Sequence, residues 1–324
     1  MSTIRIGVSG FRYAHWRGAF YPKGLPQRSE LSFMASRVGS IEINGSFYSL
    51  QKPSFYRQWC AAVPDNYTFA VKGGRFITHM KKLRNVEPAL ANFFGSGVLC
   101  LGKSLGPILW QFPENMPCDL ARFEAFFELL PHTAAAAASF AVEHHHHTRA
   151  IEEDAFPEPP PKAALRYAVE IRNPACLNEP LMALLRKHRI AWVIADTAGR
   201  FPYSEELTAD FAYVRLHGDT QLYASGYGRQ AIARWAQRIE QWSEGSEPAG
   251  GVAKRPGADA HAKLEKRRRA RDVYVYFDND GSAHAPHDAI ALQAALAAKP
   301  EVKRRLALPV PTQPAAVSGG KRKR

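Results

Sequence analysis

The feature that most constrains the fold is an alternation of strand-like and helix-like segments along the 324 residues. Short runs rich in β-branched and aromatic residues recur, and several are separated by segments with the apolar period of an amphipathic helix. This βαβα order is typical of a parallel sheet or barrel, because parallel strands need long crossovers. The strand-like runs number eight: Ile4–Ser9, Ser40–Asn44, Tyr67–Lys72, Pro107–Phe112, Arg166–Arg172, Ala191–Asp196, Phe211–His217 and Asp272–Asp278. Eight units predict an α/β protein with a (β/α)8 barrel of the TIM type.

Amphipathic helices are predicted between several of these strands. They are Ser54–Ala62, Pro88–Leu101, Leu120–Leu130, Glu179–Lys187, Gln230–Trp242 and Asp288–Ala298. We expect them to form the outer ring of the barrel.

We expect one domain over residues 4–298 that carries two low-complexity loop insertions. Residues 133–165 combine an alanine run, four consecutive histidines at 144–147 and a Pro-rich stretch, and residues 244–271 are rich in Gly, Pro, Lys and Arg. Residues 299–324 are predicted to be a disordered basic tail. Without these segments the length of the chain is close to the ~250 residues typical of one barrel.

The net charge of +13 is concentrated in two short segments. Residues 254–271 hold eight Lys or Arg against two acidic residues, and residues 299–324 hold eight against one. The rest of the chain is therefore neutral. Peripheral basic segments fit phosphate contacts to a nucleic acid, but they also fit a solvated loop and tail.

Composition and cysteine spacing narrow the class of protein. With 46% hydrophobic and 23% charged residues, the chain is globular rather than fibrous or disordered. Its four cysteines lack the paired spacing of zinc sites, and no apolar segment has the length of a membrane span or a signal region. We therefore expect a reduced, cytoplasmic protein without a membrane partner.

Alternation within the strands points to a functional site. In three of the predicted strands the polar residues share one face and the apolar residues take the other. These polar residues are Glu42 and Asn44, Glu170 and Arg172, and Arg215 and His217. Since apolar residues must face the helices, the polar face points into the barrel, where active sites lie at the carboxyl ends of the strands. Ser9, Lys72, Gln111, Asp196 and Asp278 also end their apolar runs, so we expect them at the same mouth.

These residue types suit acid–base chemistry on a small anionic substrate. Burial and mutual repulsion separate the pKa values of neighbouring carboxyls, a desolvated lysine can act as a base or form a Schiff base, and guanidinium groups bind oxyanions. The predicted catalytic residues are Glu42, Lys72, Glu170, His217 and Asp278. The predicted substrate-binding residues are Asn44, His79, Gln111, Arg172, Asp196, Arg215 and Asn279.

Two other interpretations of this polar set stay open. The carboxylates can pair with Lys72, Arg172 and Arg215 in a purely structural plug. Carboxylates with His217 can also hold a divalent metal ion, although the three cations already offset the four carboxylates Glu42, Glu170, Asp196 and Asp278. A cofactor is therefore not required by the sequence.

Aromatic residues follow several of the strands that end at this mouth. They could stack on a sugar or base face, or they could pack the loops onto the barrel rim. They are Phe11, Tyr13, Trp16, Phe47, Tyr48, Tyr223 and Tyr227.

Eight sequence blocks together resemble the YecE-like family, also called domain of unknown function 72. They are IGVSGFRYAHWRGAFYP, IEINGSFY, FAVKGGRFITH, LGPILWQFP, YAVEIRNPA, ADTAGRFP, YVRLHG and VYVYFDND. The resemblance runs from about residue 4 to residue 298, skips both predicted insertions and implies a TIM barrel. The family's shared polar positions correspond to the twelve site residues predicted above. Phe11 stands where the family often has Trp, and Asn173 with Cys176 departs from a His-Pro-Ser-Trp-like turn.

Three functions follow as hypotheses. The first is an enzyme at the barrel mouth, with Glu42 and Glu170 as acid and base and with Arg172 and Arg215 as an anion clamp. The second is a nucleic-acid binding or processing protein that uses the basic loop and tail. The third is an inactive barrel that serves as a scaffold. The polar residues predicted at the barrel mouth favour the other two hypotheses over this one.

Overall fold

The computed structural model describes residues 2–145, 155–156, 163–246 and 270–309. Eight parallel strands form a closed barrel in sequence order, which confirms the predicted (β/α)8 fold. The strands are β1 (Ile4–Ser9), β2 (Ser40–Ile43), β3 (Thr68–Lys72), β4 (Leu105–Phe112), β5 (Tyr167–Ile171), β6 (Ala191–Asp196), β7 (Phe211–Leu216) and β8 (Asp272–Phe277). Pairing of Val8 with Phe277 and with Ile41 joins β1 to both of its neighbours and closes the ring.

The α-helices of the described ranges surround this barrel. They are α1 (Glu30–Ala35), α2 (Gly45–Tyr48), α3 (Pro53–Ala61), α4 (Glu87–Gly95), α5 (Leu120–Leu129), α6 (Ala134–His144), α7 (Glu179–Lys187), α8 (Arg229–Ser243), α9 (His284–Ala297) and α10 (Pro300–Lys303). All six predicted helices are present. Helix α4 is shorter than expected, because Gly97 adopts φ 97° and the chain continues as a 3-10 segment over Val98–Ser104.

Two layers of apolar side chains follow from the strand alternation. Residues such as Ile41, Val169 and Val214 face outward and belong to the large core between strands and helices. A second buried cluster fills the barrel interior and includes Ala168 and Tyr213. The polar cluster around Arg215 lies beyond this packed layer, near the carboxyl ends of the strands.

The alanine run is a helix rather than part of a loop insertion. In α6 the residues Ala134, Ala137, Ala138 and Ala141 are buried, and their spacing places them on one helical face. The Thr133 side chain caps the helix by accepting a hydrogen bond from the Ala136 N–H. Helix α6 packs against α4. The expected insertion over 133–165 is therefore wrong for residues 134–144, because alanine has a high helix propensity and its small side chain allows close packing.

The predicted tail also begins later than expected. Helix α10 lies within it, and Val302 is fully buried. The Ile4 N–H donates to the Arg305 carbonyl at 2.7 Å, and the Ala307 N–H donates to the Ile4 carbonyl at 2.9 Å. The expectation of disorder from residue 299 is thus wrong for residues 299–309. Residues 310–324, most of the predicted insertion at 244–271 and His146–His147 lie outside the described residues.

No helix within the described ranges is both long enough and apolar enough to span a membrane.

Truncation of the chain after Ala298 should lower the free energy of unfolding by about 3 kcal/mol, from the loss of two backbone hydrogen bonds and the buried Val302 side chain. Truncation after Pro309 is the control, because it retains every contact described above. Gly39→Ala should act in the same direction as the longer truncation, since a Cβ there would lie 1.9 Å from the Ala307 carbonyl oxygen. Urea unfolding measures all three, and equal stability of the two truncated chains would contradict the structural role of residues 299–309.

Candidate active site

The polar site at the barrel mouth is built around the fully buried side chain of Arg215. Its Nη1 donates to Glu170 Oε2 at 2.6 Å, and its Nη2 donates to Glu42 Oε1 and to Asp278 Oδ2, both at 2.9 Å. The guanidinium group also donates to Ser9 Oγ at 3.1 Å. One cation from β7 therefore joins side chains from β1, β2, β5 and the end of β8.

Both oxygens of Glu42 are engaged inside this cluster. Oε1 accepts from Arg215 and from the Ser9 hydroxyl, and Oε2 accepts from the Tyr213 hydroxyl at 2.6 Å. Glu42 is fully buried. Its carboxylate therefore orients Arg215.

Glu170 is held between two guanidinium groups. Oε1 accepts from Arg172 Nε at 2.8 Å, and Oε2 accepts from Arg215. Burial by itself would raise the pKa of Glu170, but Arg215 and Arg172 hold that pKa well below its ordinary value. Glu170 is consequently ionised, with both oxygens occupied.

Asp278 connects Arg215 to His217. Its Oδ2 lies 3.0 Å from His217 Nδ1. Burial alone would raise the pKa of Asp278, but Arg215 and His217 lower it below its ordinary value. Unlike Glu42 and Glu170, Asp278 borders the open cavity above the cluster.

Lys72, at the end of β3, has a different environment from the two arginines. Its Nζ lies 4.4 Å from the centre of the Phe47 ring, and within the described part of the chain it forms no hydrogen bond or ion pair. Burial lowers the pKa of Lys72 to about 8, and the charge of Arg215 adds to this effect. Asp278, Glu42 and Glu170 oppose it through space. Roughly a tenth of such an amine is neutral at pH 7.

A cavity of about 730 Å³ opens at the carboxyl ends of the strands above these groups. Its lining includes cationic side chains, carboxylates, amides and aromatic rings. Its lining residues are Tyr13, Asn44, Phe47, Tyr48, Lys72, Arg75, His79, Met80, Gln111, Arg172, Tyr223, Asp278 and Asp280.

His79 reaches the cavity from a π-type turn over Phe76–Met80, directly after β3. Its Nδ1 lies 2.8 Å from Thr78 Oγ1, and its ring meets the Phe47 ring edge-on. Burial, reinforced by the charge of Lys72, lowers the pKa of His79 to about 4. The imidazole is therefore neutral near pH 7 and offers hydrogen-bonding groups without charge.

Tyr223 closes another side of the cavity from a strained backbone conformation. Its φ is 61°, which is unfavourable for a bulky residue, and its N–H donates to the His217 carbonyl at 2.5 Å. The hydroxyl accepts from Arg172 Nη2 at 3.0 Å. The loop thereby places a phenol beside the guanidinium group of Arg172, which also stacks on the Phe201 ring at 4.4 Å.

The family model described as "Protein of unknown function DUF72" matches residues 5–314. The chain belongs to the DUF72 family. A solved DUF72 family protein from Thermotoga maritima MSB8 is 20% identical, with a TM-score of 0.68 over 91% of this chain and 99% of that one. Another, from Enterococcus faecalis V583, is 18% identical, with a TM-score of 0.62 over 90% of this chain and 95% of that one. These likenesses show a shared fold. No curated protein matches the chain.

The DUF72 barrel brings most of the predicted site residues together. Four of the predicted residues lie in the buried cluster below or beside the cavity without lining it: Glu42, Glu170, Arg215 and His217. Six line the cavity itself: Asn44, Lys72, His79, Gln111, Arg172 and Asp278.

Asp196 and Asn279 lie apart from this cavity. In β6 the residues Ala191, Val193 and Ala195 fill the barrel interior, so Asp196 takes the outward alternation and accepts from the Tyr227 hydroxyl at 3.1 Å. Asn279 is buried and donates to Asp288 Oδ2 at 2.8 Å and to the Ser225 carbonyl at 2.9 Å. These contacts hold the loops after β7 and β8 against α9, and they do not place either side chain against a ligand.

Three residues that line the cavity of this DUF72 protein were not predicted from the sequence. Arg75 and Met80 follow β3, and Asp280 follows Asp278 by two residues. Only the position of Asp280 carried a sequence signal, because it continues the alternation of β8. Arg75 and Met80 lie on a turn whose direction no strand pattern predicts.

The mouth aromatics divide into two groups. Tyr13, Phe47, Tyr48 and Tyr223 line the cavity. Phe11, Trp16 and Tyr227 are buried in the packing of the rim. The first group is therefore accessible for stacking on a ligand, and the second group packs the loops onto the barrel rim.

The carboxylates of the cluster surround a guanidinium group instead of an empty coordination site. Arg215 occupies the position between Glu42, Glu170 and Asp278. Among the residues described, no group of three or more His, Cys, Asp or Glu side chains is arranged to hold a metal ion.

Arg215→Ala should reduce the free energy of unfolding by about 3–5 kcal/mol, because three buried carboxylates lose their shared cation. In the wild type, the lowered pKa values of Glu170 and Asp278 contribute stability above about pH 5, which is lost as the pH falls below about 4. Without Arg215 both pKa values should rise, because fewer cations then oppose the effect of burial, so the deficit of the variant should shrink between about pH 7 and pH 5.

Urea unfolding at the two pH values measures this effect, and Arg200→Ala is the control. Arg200 forms an exposed pair with Glu114, which is worth at most about 1 kcal/mol. A deficit of Arg215→Ala that stays constant with pH would contradict the electrostatic account.

Competitive acetylation with acetic anhydride should show that Lys72 reacts with a midpoint near pH 8. An ordinary lysine has a midpoint near 10.4. Because Asp278 raises the pKa of Lys72, Asp278→Asn should move the midpoint to lower pH. An unchanged midpoint in this variant, or an ordinary midpoint in the wild type, would show that Lys72 does not sense the cluster.

Proposed function

We propose that this DUF72 barrel is an enzyme that carries out acid–base chemistry on a small anionic substrate, phosphorylated or sugar-like, at the carboxyl-terminal mouth of the barrel. The observation that carries the proposal is Lys72, a buried amine without an ion pair in the described structure that borders a cavity also lined by Arg172. A cavity of about 730 Å³ is within the size range of small-molecule sites.

Arg172 and Arg75 provide the positive charge for the substrate anion. Arg172 is oriented by Glu170, Tyr223 and the Phe201 ring, so its planar group is held ready for an oxyanion. Arg75 is exposed at the rim and lies over the Tyr48 ring. The faces of Phe47 and Tyr48 suit the apolar side of a sugar ring.

We assign proton transfer to Lys72 and Asp280. Lys72 accepts a proton in its neutral form, and burial together with the charge of Asp278 raises the pKa of Asp280, which favours its role as a proton donor. Glu42, Glu170 and Arg215 are then positioning residues, since their polar atoms largely bind one another. This assignment replaces Glu42 and Glu170 as the acid–base pair and Arg215 as part of the clamp.

The nucleic-acid hypothesis depends on the basic segments 254–271 and 299–324. Most of these residues lie outside the described structure, and no described contact favours it. It remains a prediction, as does the cytoplasmic location. The scaffold hypothesis gives no reason for a buried lysine that has no ion-pair partner among the described residues and lies beside a cavity.

A thermal-shift screen of the full chain tests the proposed function. Ribose 5-phosphate, glucose 6-phosphate and glycerol 3-phosphate are the probes, with short oligonucleotides and the corresponding neutral sugars for comparison. A ligand at about 100 times its Kd adds roughly 2.7 kcal/mol, a shift of a few degrees for a domain of this size. We expect at least one phosphorylated probe to shift the Tm and its neutral counterpart to have no effect.

The same shift should be lost in Arg172→Gln and kept in Arg234→Gln, which alters an exposed arginine of α8. Each shift is taken relative to the Tm of the same variant without ligand. A shift that survives Arg172→Gln would remove the ligand from this cavity. Stabilisation by oligonucleotides alone would favour the nucleic-acid hypothesis.

A further inference from the structure

Of the three cations Lys72, Arg172 and Arg215 at the barrel mouth, Lys72 alone lacks a carboxylate partner in the described structure. Arg215 binds Glu42, Glu170 and Asp278, and Arg172 binds Glu170. The oxygens of Glu42 and Glu170 thus accept hydrogen bonds from guanidinium and hydroxyl groups. Lys72 Nζ instead rests against the Phe47 ring and faces the cavity.

We propose that Lys72 Nζ forms a Schiff base with the carbonyl carbon of a small aldehyde or ketone that carries a phosphate or carboxylate group. This proposal rests on the proposed function and deepens it, because it adds a covalent step and a substrate class to the same cavity. An ion pair would hold the buried amine in its protonated form, whereas burial without such a partner favours the neutral amine, whose lone pair can attack a carbonyl carbon.

The step balances without an oxidant or reductant. The neutral Nζ attacks the carbonyl carbon, the C–O π pair moves to oxygen, and this oxygen takes up a proton while nitrogen loses one. A proton donor then protonates the hydroxyl group, which leaves as water when the C=N bond forms. Asp280 lines the cavity and can supply that proton.

Tyr223 is placed to assist at the same carbonyl. Its hydroxyl accepts from Arg172, and no described residue accepts the phenolic proton, which is therefore available to a ligand oxygen in the cavity. The backbone is fixed on both sides, since its N–H donates to His217 and its carbonyl accepts from the Gly281 N–H at 3.1 Å. The strained φ of Tyr223 is thus maintained by two hydrogen bonds that keep the phenol over the cavity.

The anion requirement follows from the position of Arg172. This group lines the same cavity as Lys72, and its other contacts are a carboxylate, a phenol and an aromatic face. A carbonyl compound with a phosphate or carboxylate group would place its anion at Arg172 and its carbonyl carbon at Lys72. A neutral carbonyl compound would lack the first contact.

Reductive trapping on the full chain tests the covalent step. The protein is incubated near neutral pH with sodium cyanoborohydride and one of three probes: dihydroxyacetone phosphate, pyruvate or pyridoxal 5′-phosphate. Intact mass and peptide mapping then locate the secondary amine. We expect at least one probe to modify Lys72 on the order of tenfold faster than Lys103, an exposed lysine near Asp65.

Matched variants separate a specific site from general lysine reactivity. Lys72→Arg should abolish the modification at this position and Lys103→Arg should leave it unchanged. Arg172→Gln should slow trapping of the anionic probes about tenfold, and neutral dihydroxyacetone should react with the wild type at a similarly reduced rate.

Equal labelling of Lys72 and Lys103 by all three probes would overturn the Schiff-base proposal. If phosphorylated ligands still stabilise the protein through Arg172 in the thermal-shift screen, the proposed function stands and only the covalent step is wrong. If no anionic ligand binds and no probe selects Lys72, both proposals fail. Selective labelling of Lys72 that is unaffected by Arg172→Gln would refute the anionic substrate class and keep the amine as the reactive group.

Discussion

The buried Arg215 guanidinium is the interaction on which the rest of the site depends. It binds three carboxylates that arrive from β2, β5 and the end of β8, and thereby fixes the carboxyl ends of strands on different sides of the barrel. Three carboxylates could not be buried so close together without a cation, because each would lose its hydration without compensation. Arg215 therefore both neutralises the buried carboxylates and sets the positions of the side chains below the cavity.

This arrangement leaves Lys72 in an unusual position. The carboxylates that would pair with it are engaged by Arg215, so the amine is desolvated near a positive charge and rests on an aromatic ring. Burial lowers the pKa of this amine, and the charge of Arg215 adds to that effect. Glu42 and Glu170 hold Arg215 and Arg172 in place and also raise the pKa of Lys72 through space, even though neither carboxylate lines the cavity.

The loops above the strands complete the site from separate parts of the chain. A π-type turn brings His79 beside Phe47, and the strained loop after β7 brings Tyr223 beside Arg172. At the opposite end of the strands, residues 299–309 pair with the start of β1 and cover Gly39. The barrel is thus closed and supported at its amino-terminal end, while the carboxyl-terminal end keeps a cavity. The stabilising contacts of residues 299–309 and the candidate site thus lie at opposite ends of the barrel.

The sequence by itself determined the barrel and most of its polar floor, because a strand that alternates apolar and polar residues has only one way to face a hydrophobic helix ring. That rule failed for Asp196, where all of the preceding strand residues are apolar and the alternation carries no signal. It also gave no information about Arg75, whose direction is set by a turn. Only the tertiary structure decided which charges pair, since the contacts of Arg215 join residues far apart in the chain and leave Lys72 without a carboxylate partner among the described residues. The physical reason is that local patterns fix which face a side chain takes, whereas partners and pKa values depend on distances set by closure of the ring.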